Sequence, residues 1–142
     1  MGLFDFLKTK DAVPYEKIYE ELSAFTEASL AMPKMNNPFL LDDKSKHSMI
    51  FGYFMGVMDY VTQAYQLNEK DKLKICTQYL LKNFTDNDIE DAQKLLEYCD
   101  EIRETDDGSN YALRGKLAMK KWVAGGPMAA YAPMGLVKIL ND

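Results

Sequence analysis

Histidine occurs once in the 142 residues, at His47, and cysteine twice, at Cys76 and Cys99. A single histidine excludes a multi-histidine metal centre and leaves any Ser/His/Asp arrangement dependent on one side chain. His47 sits beside Lys44 and Lys46, where it reads as solvated. The two cysteines are too far apart in sequence for a zinc-ligand pair and too few to staple a chain of this size. They read as free thiols packed as small apolar groups. Phosphate-cradling loops, dinucleotide glycine patterns and the nucleophile elbow are also absent, so no catalytic residue and no cofactor are assigned. The turn Asp106-Asp107-Gly108 lacks the alternating oxygens and closing glutamate of a calcium loop. The carboxylate pairs Glu16/Glu20 and Glu97/Glu101 are what charged outer faces of helices produce by default, and no metal site is assigned.

Basic charge is in short supply: 17 Lys and Arg against 22 Asp and Glu give a net −5. A polyanion is repelled by such a surface, which excludes nucleic acid as a partner. Long apolar runs are missing as well. The ten uncharged residues Met49 to Met58 are too few to span a bilayer, and Asp59 follows them directly. Met1 to Lys8 carries no basic leader and no apolar run of secretory length, and Phe6 stands where myristoylation wants Ser or Thr, so a cytoplasmic location is expected. Gly2 to Lys8 reads as the core of an amphipathic N-terminal segment (residues 1–13) that docks on the protein, peripheral membrane contact being the alternative.

What remains is 47% apolar and 27% charged, the composition of one ordinary globular domain. Segment after segment repeats apolar residues at three and four, and none alternates with period two. The expected fold is all-α, a single-domain bundle of about five to seven helices. Pro14 opens a helix to about Met32 with a seam of Tyr15, Ile18, Leu22, Phe25, Ser29 and Met32. Met32-Pro33 ends it, and residues 33–46 form a long connector whose Phe39-Leu40-Leu41 plugs onto the core. A central helix covers about Ser45 to Gln66. Asn68 with Asp71 caps a third helix, with the stripe Leu73, Cys76, Leu80 and Phe84. Thr85 with Asp88 opens a fourth, reaching about Glu104 with an inner face of Ile89, Ala92, Leu95, Leu96, Cys99 and Ile102. Thr105 to Asn110 is read as a turn, Tyr111 to Val123 as a fifth helix, residues 124–133 as a Gly/Pro-interrupted apolar segment, and Pro133 as the start of a last short helix.

Two patterns point toward function. In the central helix Ser48, Gly52, Gly56, Asp59 and Gln63 share one face. Small residues at this spacing either admit a second helix at close range, with Asp59 at the edge needing a partner, or line a groove with Tyr53 and Tyr60 for a ligand or peptide. The second pattern is the uncharged stretch from Trp122 to Val137, which is either core or an interface carried by Trp122, Met128, Tyr131 and Met134. Charge is polarised just before it: residues 86–107 hold ten acids against Lys94 and Arg103, a net −8, whereas residues 108–142 come to +4. The reading these support is a non-enzymatic cytosolic protein acting through contacts with a protein partner or with itself as a homodimer. The alternative is a small-molecule or lipid-binding domain with a Met- and Tyr-lined groove.

Overall fold

The computed structural model describes residues 13–141, so Gly2 to Lys8 lies outside the described residues. Six α-helices make up most of the described chain: α1 (Tyr15–Asn36), α2 (His47–Ala64), α3 (Glu69–Phe84), α4 (Ile89–Arg103), α5 (Asp106–Ala124) and α6 (Gly135–Leu140). Short 3-10 turns at Leu40–Asp42, Lys44–Lys46 and Ala129–Met134 complete it. No strand occurs among the described residues, and the fold is the all-α bundle expected. No helix among them is long and apolar enough to cross a membrane.

The centre is α2. Residues Ile50 to Met58 are all buried, as a helix apolar on every side must be. Around it, α1 contributes Ile18, Leu22 and Phe25, α3 contributes Ile75, Tyr79 and Leu80, and α6 closes one end with Leu136 and Ile139. Phe51, Phe54 and Tyr79 each meet Phe84, mostly edge to face. Thr26 and Tyr79, both buried, satisfy one another through a hydroxyl pair at 2.5 Å.

Several boundaries differ from the expected ones. Helix α1 runs through Pro33 to Asn36: the proline lies in the last turn, where a missing N–H forfeits one bond, and its ring is buried. The connector is thereby shorter, and of Phe39-Leu40-Leu41 only Leu40 is buried while Phe39 is 73% exposed. The Asn68 cap is present, its Oδ1 accepting from the Asp71 N–H at 2.8 Å. The stripe of α3 is turned toward α1, burying Ile75 and Tyr79 and leaving Leu73 exposed. Helix α4 starts after Asp88, which caps the Asp91 N–H, because Asp86 and Asn87 adopt left-handed φ angles of 49° and 66° that no helix accommodates. Its expected inner residue Ile89 is exposed, and Leu95 and Leu96 are half-buried.

The expected turn at Thr105 to Asn110 is helix. Thr105 is the N-cap of α5, accepting from the Gly108 N–H at 2.9 Å. Gly108 is required there by space: a Cβ would stand 2.0 Å from the Ile102 carbonyl oxygen. Gly125 and Gly126, with φ of 73° and 78°, end α5 as the sequence indicates.

Candidate functional site

The small-residue face of α2 is occupied by α5. A Cβ on Gly56 would lie 1.8 Å from the Ala112 carbonyl oxygen, and one on Gly115 would lie 1.9 Å from the carbonyl oxygen of Tyr53. Backbone meets backbone at this crossing, which only glycine permits. Gly52 is less tightly covered, its nearest neighbour being Tyr111 Cβ at 3.1 Å. The open groove proposed on Gly52, Gly56 and Tyr53 is therefore filled by the chain's own helix. Tyr53 is fully buried, and its hydroxyl points to where α6 begins at Gly135. Burial pushes its pKa up to about 12, against which the neighbouring Ser29 hydroxyl acts. Neither hydroxyl completes a hydrogen bond of normal geometry.

Asp59 finds the partner its position demands. The Arg103 guanidinium donates to both carboxylate oxygens, at 2.9 and 3.1 Å, and thereby ties the end of α4 to α2. Lys116 of α5 donates to Gln63 Oε1 at 2.6 Å on the same face. Tyr60 is half-buried.

Beside that ion pair, α2, α3 and α4 enclose a cleft of about 360 Å³. Met55 and Met58 of α2, Cys76 and Leu73 of α3, and Cys99 and Leu96 of α4 form its apolar walls. Asp59, Glu69, Lys72, Asp100 and Arg103 supply the charge around them. Both thiols are free and buried, and desolvation raises each to about 12. The convergence of both cysteines on one space was invisible in the sequence, where they lie on separate helices.

His47 is half-buried rather than solvated: Nε2 lies 2.7 Å from the Leu41 carbonyl oxygen and the ring meets Phe51 edge-on. It joins the 3-10 turn to α2. Among the described residues no three His, Cys, Asp or Glu side chains are grouped to hold a metal ion.

The uncharged stretch from Trp122 divides into two. Trp122 is half-buried, edge-on to Phe25 with ring centres 5.6 Å apart, and Met134 is half-buried. Ala132, Pro133 and Leu136 are core. Between these, Val123, Met128 and Tyr131 are 47%, 61% and 69% exposed, and residues 123–128 are exposed throughout. No family model, no curated protein and no solved structure matches the chain.

Proposed function

We propose that the protein acts by contact with another protein, and that the partner is a second copy of this chain meeting the surface formed by Val123, Met128 and Tyr131. The observation that carries this reading is the exposure of three large apolar side chains within nine residues, on a segment with no charge to solvate it. Interfaces favour Met and Tyr of this kind. The sequence supplies charge complementarity for a like partner: ten acids in residues 86–107 face a second copy whose residues 108–142 are net positive. Lys120 and Lys121, both exposed at the end of α5, are the cations nearest in sequence to the apolar surface. Free thiols fit a reducing compartment, the cytosol. The role is non-catalytic: assembly rather than turnover.

Trp122 belongs to the support of this surface and not to its face, because it rests on Phe25. The informative substitutions are Met128→Ser and Tyr131→Ala, whose side chains leave the core untouched. Sedimentation equilibrium of the full chain is expected to show a dimer at tens of micromolar. Loss of a central aromatic removes about 2 kcal/mol of association, roughly a thirtyfold weaker dimer. Rim charge pairs contribute about 0.2 to 1 kcal/mol each, so high salt weakens the dimer without abolishing it. A wild-type chain that is monomeric throughout that range, or a Tyr131→Ala, Met128→Ser double variant that dimerises as wild type, overturns the proposal.

A further inference from the structure

We propose that the cleft between α2, α3 and α4 binds one monovalent thiophilic metal ion, copper(I) in biological chemistry, through the sulfurs of Cys76 and Cys99 with the Met55 and Met58 thioethers beside them. Both cysteines of the chain line this cleft, although they belong to different helices, and Met55 and Met58 come from a third. All four residues are buried, and the space they line together measures about 360 Å³. Helices α3 and α4 are joined by a turn at residues 85–88, and Cys76 and Cys99 lie at similar distances before and after it, which puts them on facing levels of the pair.

The donor set selects the ion. Thiolate and thioether are soft ligands that prefer copper(I), whereas borderline and hard divalent ions need imidazole or carboxylate groups, and no suitable group of three exists among the described residues. Binding is a proton exchange with no redox change: the metal stays monovalent, two S–H bonds are lost, two metal–sulfur bonds form and two protons leave. The resulting two-thiolate site carries one negative charge. Lys72 of α3 faces it, as does Arg103 of α4, which is shared with Asp59 of α2. Asp100 of α4 and Glu69 of α3 are the other charged groups around the cleft. Each thiol gives up its proton to the metal, so binding strengthens as pH rises.

The test is anaerobic titration of the reduced full chain with copper(I) against a chromophoric bicinchoninate probe, read with the ultraviolet thiolate-to-copper absorption. One equivalent per chain is expected, with affinity rising about 100-fold per pH unit, the signature of two displaced protons. Cys76→Ser and Cys99→Ser should each weaken binding at least 10-fold and Met58→Leu by a smaller factor, on the scale of lost ligands. His47→Asn and Met35→Leu, which remove donors outside the cleft, should leave the affinity unchanged. Zinc should not displace the copper. Failure to take copper from the probe, an affinity independent of pH, or a Cys99→Ser protein that binds as wild type overturns the proposal. Should a serine variant fail to fold by circular dichroism, the pH slope and Met58→Leu decide, and an unchanged affinity in Met58→Leu with a slope of one proton or none also overturns it.

Discussion

Gly56→Ala adds one methyl group and is expected to be among the most damaging small substitutions in this protein. The new Cβ would stand 1.8 Å from the Ala112 carbonyl oxygen, 2.6 Å from its carbon and 2.8 Å from its Cα. These are backbone atoms of a helix, so no side chain can rotate away; α2 and α5 must separate by more than an ångström. A gap of about 0.5 to 1 Å forfeits a quarter to a half of each contact's dispersion energy. Fully buried Tyr53 and Met119 flank the crossing on its two helices. With about 1.5 to 3 kcal/mol for each large buried side chain, partial loss at several of them comes to about 3 to 4 kcal/mol. Alanine's better helix propensity returns about 1 kcal/mol. The net expectation is a loss of about 2 to 3 kcal/mol, read as a lower urea midpoint at unchanged slope. Gly52→Ala is the internal control: its Cβ would meet Tyr111 Cβ at 3.1 Å and Ile102 Cγ2 at 3.4 Å, which asks α5 to yield by only a few tenths of an ångström, so its effect should stay within about 1 kcal/mol of zero. Gly115→Ala should resemble Gly56→Ala, and the double variant should cost less than the sum, because the first methyl has already parted the helices. If Gly56→Ala unfolds at the wild-type midpoint, the backbones do not approach this closely and the argument fails.

Thr26→Val leaves the buried Tyr79 hydroxyl without its partner and should cost about 1 to 3 kcal/mol in urea unfolding, whereas Thr26→Val with Tyr79→Phe should recover part of it. Tyr53→Phe removes a buried hydroxyl that has no hydrogen bond, so it should be neutral or stabilising; a loss above about 1 kcal/mol would show that the hydroxyl is bonded in solution. Alkali should destabilise the fold from about pH 9 upward. Cys76, Cys99 and Tyr53 each ionise near 12 when folded, against ordinary values of 9.0 for the thiols and 10.0 for the tyrosine. Stability from a raised pKa is present below the unfolded value and drains away as pH climbs toward the folded one. With about 1.4 kcal/mol per proton per pH unit, roughly 3 kcal/mol should be gone by pH 10. A stability that is flat from pH 7 to 10 would contradict this.

Helix periodicity made the bundle legible because each amphipathic segment carries its own period, and the caps at Asn68 and Gly125 were readable because capping is a local interaction. Other boundaries hinged on choices between two local devices. The expected cap at Thr85 gives way to Asp88, because the left-handed Asp86 and Asn87 postpone the helix start. At Thr105 the Asp-Asp-Gly run has the composition of a turn, but Gly108 serves the first turn of α5, where it avoids a clash with the Ile102 carbonyl oxygen. The filling of the α2 face was readable in principle: Gly108, Ala112 and Gly115 repeat on α5 the small-residue spacing of Gly52 and Gly56 on α2. The cleft was not readable, since nothing local to Cys76 or Cys99 states that α3 and α4 turn those residues toward Met55 and Met58.

The bundle has a tightly packed frame and a less deeply buried helix beside it. Eleven of the eighteen residues of α2 are buried, and its crossing with α5 is locked by glycines, so this pair is the rigid frame. Helix α4 buries only Ala92, Cys99 and Ile102 of its fifteen residues and is held by the Asp88 cap at one end and by the Asp59–Arg103 pair at the other. An element with so few buried contacts opens at lower free energy than the frame behind it. Helix α4 is also the wall of the cleft that carries Cys99, which is buried. The shortage of apolar residues that gives α4 its strongly acidic outer face is the same property that leaves it so few buried contacts.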